Sequence, residues 1–344
     1  MPKFIQYVIF ASLVACISFF GTTDAFSKDR ILRADTGSPG ASSHTATVVV
    51  GKVLGSKLGF TLQVNDSQTL TRSALKLGRG QLDWMPFPTA IPFLMAKGKG
   101  PYKKEPMKTK AAAQLKNIRA IWGWNANLFH FVTFDVDKIK TFKDIKGKVV
   151  YTGPPSGAAA VTSEAIIRAL TGYKPNVDYK ARRLPWGGGL QAMLDGKLDV
   201  FTRPSALGGA ILEQIGMKKK FRLLDAEDAG LLKKWSKHPA RLVGKIPAGT
   251  YSAQVNNDKD LVAAGTTFMI AMNKNNISAD LAYGMTKVTW EHLDEIYKSA
   301  KTLASIDKNK PFIGVNVPLH VGAVKYYREV GIKIPKRLLP PEAK

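Results

Sequence analysis

Residues 148–160 read KVVYTGPPSGAAA: an apolar run, a Gly/Ser turn and the start of a helix-like stretch that continues to Leu170. The first N–H groups of a helix have no internal partners, so a strand–turn–helix junction of this kind can hold an anion. An earlier stretch repeats the order. ILRAD (31–35) leads into TGSPGASSH (36–44) and then ATVVVGKVLGSKLG (46–59), which can form a helix. Each unit continues with a short strand (60–64; 179–184), a helix (70–77; 190–194) and a closing Gly-x-Leu-Asp (80–83; 196–199). Thr36 to Asp83 and Thr152 to Asp199 both span 47 positions. Matches at one spacing in one structural context read as two similar βαβα units, and hence as α/β architecture. Two lobes follow, each presenting a loop and a helix N-terminus from the carboxyl end of its first strand. A ligand cleft between them would be lined from both sides.

The bulk numbers permit this. A chain of 344 residues that is 45% apolar has core enough for two domains. Its formal net charge of +25 argues about solubility and anionic partners, not about fold. Nucleic acid is set aside because of the N-terminus, MPKFIQYVIFASLVACISFFGTTDAFSKDR, which has the layout of a secretory signal peptide cleaved after Ala25. The competing membrane anchor is disfavoured because the apolar stretch Phe4–Phe20 is short of the roughly 20 residues a span needs. Leu13-Val14-Ala15-Cys16 fits a lipoprotein box, although Ile17 to Phe20 stay apolar beyond it. Cys16 is the only cysteine, so cleavage at Ala25 leaves no disulfide, thiol nucleophile or cysteine metal site.

Candidate binding residues fall at the turns. Ser156, Gly157 and Ala158 head a helix, where their N–H groups and the Ser156 hydroxyl can accept a carboxylate; Ser156 serving only as an N-cap is the alternative. Thr36, Gly37 and Ser38 form the matching turn. Ser67 and Thr69, with Asn65, follow the second strand of the first unit, and Trp186 follows the equivalent strand of the second. Trp186 serves equally well as a hinge or core residue. Arg203 can pair a carboxylate bidentately, and Tyr251 is a candidate for the rim. Asp83 and Asp199 brace their units. A phosphate loop is excluded because GxxxxGK[ST] is absent and no Lys follows Gly157. Enzyme signatures are missing too: the five histidines are scattered, Trp290-Glu291-His292 lacks a second zinc-ligating His, and no G-x-S-x-G elbow occurs. No metal, cofactor or catalytic residue is expected.

The remaining segments lie outside the repeat. Lys97–Lys116 is rich in Lys, Gly and Pro and reads as an exposed excursion giving way to a helix or strand. An apolar run (261–272), a single long helix (278–304) and a final helix (321–330) are expected to pack back onto the first lobe. The expected division is a leader (1–25), lobe one (26–120, completed by 245–344) and lobe two (121–244).

Several motifs together resemble the substrate-binding subunits of tripartite ATP-independent periplasmic (TRAP) transporters, in the TAXI subgroup. They are ADTGS (34–38), FKDIKGKVV (142–150), PSG (155–157), IPAGTY (246–251) and PLHVGAVKYYRE (318–329), in family order over nearly the whole mature chain. The resemblance implies a two-lobed type II periplasmic-binding-protein fold that closes on a small anionic solute. Organic anions or amino acids such as glutamate are the typical cargo, delivered by a monomeric receptor in the periplasm to a TRAP-type permease. Two departures fall where ligand would sit. Pro39 to His44 replace the family's Gly and aromatic residues, and Pro155-Ser156-Gly157 stands where relatives have Gly-Ser-Gly. The usual ligand is therefore not implied. A different class of function, an exported basic surface protein that binds polyanions and keeps a vestigial cleft, fits the charge as well.

Overall fold

The computed structural model describes residues 30–226, 235 and 241–343. The expected leader and Cys16 lie outside them.

Each half of the chain builds three parallel strands. In the first half these are β1 (Arg30–Asp35), β2 (Phe60–Asn65) and β3 (Trp84–Pro88); in the second they are β5 (Val149–Tyr151), β6 (Lys180–Arg182) and β7 (Val200–Ser205). Two long strands, β4 (Ile118–Thr133) and β10 (Leu261–Asn273), join them. The order is β2-β1-β3-β10-β4-β7-β5-β6, so the second half repeats the first in mirrored sequence across the central antiparallel pair. The short β8 (Arg222–Leu223) pairs with β4, and β9 (Leu242–Ile246) with β10.

The repeat seen in the sequence is a repeat in hydrogen bonding. The Ala34–Trp84 pair on β1 and β3 recurs as Val150–Val200 on β5 and β7. Asp83 accepts from Arg33 N at 2.6 Å, and Asp199 accepts from Val149 N at 2.7 Å. The two closing aspartates thus fasten the third strand of each unit to the first. Asp83 goes further: its carboxylate also takes Arg33 Nε at 3.2 Å and Asn276 Nδ2 at 2.7 Å. Burial alone would raise its pKa, but the hydrogen bonds from Arg33 and Asn276 outweigh that and hold it below the usual carboxylate range. A lowered carboxylate pKa gives stability that is present above about pH 4 and fades as pH falls through the folded value. Asp83→Asn should therefore cost about 1–3 kcal/mol at neutral pH, with the gap to wild type closing as pH drops below about 4. Melting curves across that range check it; a pH-independent gap would show that charge plays no part.

The helices follow from their apolar spacing. In α1 (Ser42–Leu58), Ala46, Val50, Val53 and Leu54 make one buried stripe. The helix stops at Gly59, whose left-handed backbone (φ 69°) turns its N–H onto Gly55 O. Its counterpart α5 (Ala158–Thr171) buries Ala160, Ile166 and Ile167 and stops at Gly172 (φ 81°). Between and around them lie α2 (Leu70–Gly78), α3 (Ala90–Lys97), α4 (Met107–Leu115), α6 (Trp186–Leu194) and α7 (Ala210–Lys218). The Lys-rich excursion carries α4 and is anchored by buried Tyr102, which donates to Thr71 O at 2.6 Å. The single helix expected over 278–304 breaks at His292 into α8 (Ala279–Glu291) and α9 (Leu293–Ser299). The last helix is α10 (Val321–Glu329).

The cores mark the lobes. One apolar cluster holds buried residues from Leu32 to Ala126 and from Phe268 to Leu338; two others hold residues from Leu128 to Ala264. The change of lobe falls inside β4 and β10, not at 120/121 and 244/245, because residues 245–264 (Ile246, Tyr251 and Leu261 among them) pack with the second lobe. At the crossing, the β4–β10 register shifts between Thr266 and Thr267, which pair with Asn127 and Asn125 and skip Ala126. A bulge there bends both strands where one lobe gives way to the other. This is the type II two-lobed α/β architecture. Among the described residues, no helix is long and apolar enough to cross a membrane.

Candidate ligand cleft

A cavity of about 80 Å³ lies between the lobes at this crossing. Five helices start on it. Ala41 to Ser43 open α1, Thr69 and Leu70 open α2, Ala90 opens α3, Gly157 to Ala159 open α5, and Trp186 opens α6. None of the five has a side-chain N-cap. Their free N–H groups and the positive ends of their dipoles therefore favour negative charge in the cavity.

Among the described residues, Arg203, from β7, supplies the one formal charge in the wall, and no Asp or Glu lines the cavity. Arg203 is 3% exposed. Its Nη2 donates to Ser38 Oγ at 2.8 Å, across from the other lobe, and its guanidinium lies 4.3 Å from the centre of the Trp186 ring. No carboxylate pairs with it among the described residues. Desolvation lowers its pKa to about 10, with nearby Tyr151 opposing the shift, so it is charged at neutral pH. Directly beside it on β4, buried His130 is held neutral: desolvation takes its pKa down to about 4. Its ring contacts Leu128 O at 3.0 Å and the Tyr251 hydroxyl at 2.9 Å.

Neutral hydrogen-bonding groups come from both lobes and from the crossing strands. Asn127 Oδ1 accepts from Ser42 Oγ, which leaves Asn127 Nδ2 to the cavity. Ser43, Gln68, Thr69, Thr162 and Thr266 also face it, and Phe129, Phe268, Trp186 and Pro88 add apolar wall.

Of the residues expected from sequence, Gly37, Thr69, Gly157, Ala158, Trp186 and Arg203 line the cavity. Ser38 acts through its bond to Arg203. Thr36 is buried behind the first turn, its N–H on Asn65 O and its hydroxyl without a partner among the described residues. Ser67, at φ 56°, donates to Asp66 instead and lies on an adjoining groove of about 160 Å³ with Arg72 and Pro155, which shares Thr69, Pro154 and Trp186 with the cavity. Two expectations need correcting. Ser156 is exposed and does not cap the helix; Gly157 does. Pro154 to Gly157 close a turn (Gly157 N to Pro154 O, 3.0 Å) with Pro155 second and Ser156 third at φ 60°, which turns the Ser156 side chain outward. Ser156 contributes its carbonyl, which accepts from Thr71 Oγ1 of the opposite lobe at 2.8 Å. Tyr251 is not on the rim but buried in the second lobe against His130 and Phe221. Asn127, Phe129, Thr266 and Phe268 were missed. The available signal was polar residues interrupting long apolar strands (NAN at 125–127, TT at 266–267).

The parallel-strand units, the crossing strands and an anion-favouring cleft together define the class: a two-lobed protein with a solute-binding-protein fold. Residues 95–331 match the NMT1-like family, and the chain belongs to that family. Solved structures similar to it include the alkanesulfonate-binding protein SsuA of Xanthomonas axonopodis pv. citri bound to MOPS. That comparison gives 14% identity, 91% of this chain, 97% of that one and a TM-score of 0.49. Another is a TRAP periplasmic solute-binding protein of Ralstonia eutropha H16 with bound (S)-2-acetolactate, at 13% identity, 90% of this chain, 87% of that one and a TM-score of 0.47.

Proposed function

We propose that this chain is an extracytoplasmic solute receptor of a TRAP-type system, in the TAXI subgroup, and not an enzyme. It binds a small carboxylate-bearing solute by closing its lobes, and delivers it as a monomer to a membrane permease. The observation that carries the reading is Arg203: a buried guanidinium with no carboxylate partner, facing a cavity ringed by uncapped helix N-termini. A desolvated cation is costly to leave unpaired, and an anionic solute would supply what the protein omits. Support for hinge closure comes from contacts that join the lobes, Arg203 to Ser38 and Thr71 to Ser156. A solute touching both walls would stabilise that closed state. The leader expected over residues 1–25 would place the receptor in the periplasm, where its +25 charge steers anions toward it.

Calorimetry against small carboxylates and heparin, at low and high salt, tests the reading. Saturable one-to-one binding of a small anion that survives salt is expected. Binding confined to the polyanion and abolished by salt would instead make this a basic surface protein.

A further inference from the structure

We infer that the solute carries no ammonium group: the site takes a deaminated organic acid, such as a 2-oxo or 2-hydroxy acid, and rejects the amino acid of the same skeleton. This rests on the receptor reading above and narrows its ligand class. A site for an α-amino acid must satisfy two opposite charges. Here the described residues of the wall offer Arg203 and five helix N-termini to the carboxylate, and no Asp or Glu to the ammonium.

The acids next in sequence to the lining residues are engaged elsewhere. Asp35 is fully buried and holds Asn65, Ser73 and Lys76. Asp66 accepts from Ser67, and Glu164 is taken by Thr152 and a forked contact from Arg183. None of them lines the cavity. The positive helix ends would repel an ammonium rather than attract it.

The wall does offer neutral donors that suit an oxo or hydroxyl oxygen. Asn127 is 6% exposed and its Nδ2 has no acceptor in the protein among the described residues, because its Oδ1 takes the Ser42 hydroxyl. Ser43 is 4% exposed and its hydroxyl likewise has no partner among the described residues. Phe129, Phe268 and Pro88 provide the surface for a hydrocarbon body.

The test uses pairs that differ only at C2: 3-methyl-2-oxobutanoate against valine, and 2-oxoglutarate against glutamate, titrated calorimetrically into the purified protein. In whichever pair binds, the amino member should be weaker by a factor of about 100 or more, as expected for a buried charge left unpaired. A second arm asks for gain of function. Asn127→Asp keeps the shape and the Ser42 bond, adds the missing negative charge, and should raise affinity for the amino acid while lowering it for the oxo acid. An amino acid that binds wild type as tightly as its oxo partner overturns the inference and leaves the receptor reading standing. Binding by no member of either pair, with none by other small anions and no effect of Arg203→Met, overturns both.

Discussion

Arg203→Met is expected to lose solute binding by a factor of about 100 or more, while its ligand-free form melts no lower than wild type. The two halves of this result have one cause. In the free protein Arg203 is a desolvated cation whose side chain has one hydrogen-bond partner among the described residues, Ser38 Oγ, and the face of Trp186. The lowering of its pKa to about 10 corresponds to roughly 3 kcal/mol against a solvated guanidinium. A base with a lowered pKa destabilises the fold wherever it is still protonated, so the cost is present in full at neutral pH and fades only as pH rises through 10. Methionine removes it, keeps much of the side-chain volume beside Trp186, and leaves half-buried Ser38 free to reach water. An anion bound as proposed would meet the guanidinium where water is excluded, and in the variant would lose the one formal counter-charge that the described residues of the wall supply. Arg203→Lys would recover little, because an ammonium lacks the planar fork that meets a carboxylate with two parallel bonds. Calorimetry with and without solute reads both halves. A variant that binds normally, or whose ligand-free form melts many degrees lower, would mean that Arg203 is a structural residue.

The sequence made the architecture legible through a spacing. Thr36–Asp83 and Thr152–Asp199 coincide because the same strand pairings and the same aspartate clamp occur twice. A backbone geometry that recurs fixes the residues at its corners, so the corners repeat even where the walls between them do not. The cavity was less legible for the same reason. Its turns are corners, and Gly37 and Gly157 could be named from them, and Arg203 from the end of the apolar run that forms β7. Its remaining wall comes from the middle of β4 and β10, where Asn127 and Thr266 sit in apolar strands whose register is shifted by a bulge. No local pattern announces which strand residue will face a neighbouring lobe.

Ser156 illustrates a different limit. The motif Pro-Ser-Gly before a helix reads equally as a cap or as an anion cradle, and it is neither in its side chain. One backbone angle, φ 60°, decides this by turning the hydroxyl to solvent and the carbonyl to Thr71. The Gly157 N–H closes the turn on Pro154 O, so an anion held here would rest on the backbone N–H groups from Ala158 onward, which need no particular side chain.

A large stability effect is expected at Gly123, midway along the first-lobe part of β4. A Cβ there would stand 2.3 Å from Ile313 O, 3.0 Å from Phe268 O and 3.0 Å from Val315 Cγ2. Two of the three obstacles are backbone, from the paired strand β10 and from the segment that straps β4 on its way to α10. That strap is tied to β4 by Gly123 N to Pro311 O at 2.9 Å and Ala120 N to Pro318 O at 2.9 Å. It carries Tyr327 to Ile121 O at 2.9 Å. No rotamer change relieves a clash with main-chain oxygens, so the strap or the β4–β10 pairing must move. Gly123→Ala should cost about 3 kcal/mol, the upper end for overpacking, and lower the melting temperature by on the order of 5–10 °C. Gly187 is the control: it is exposed near the start of α6 with nothing within 4 Å of an added Cβ. Gly187→Ala should raise stability by about 0.5–1 kcal/mol by reducing the freedom of the unfolded chain. The solute then separates a damaged lobe from a damaged site. Gly123→Ala that retains the cleft should regain stability as solute rises above its dissociation constant, following the same mass-action curve as wild type. A melting temperature unchanged by the alanine would show that the strap yields without cost and that β4 is not held from that side.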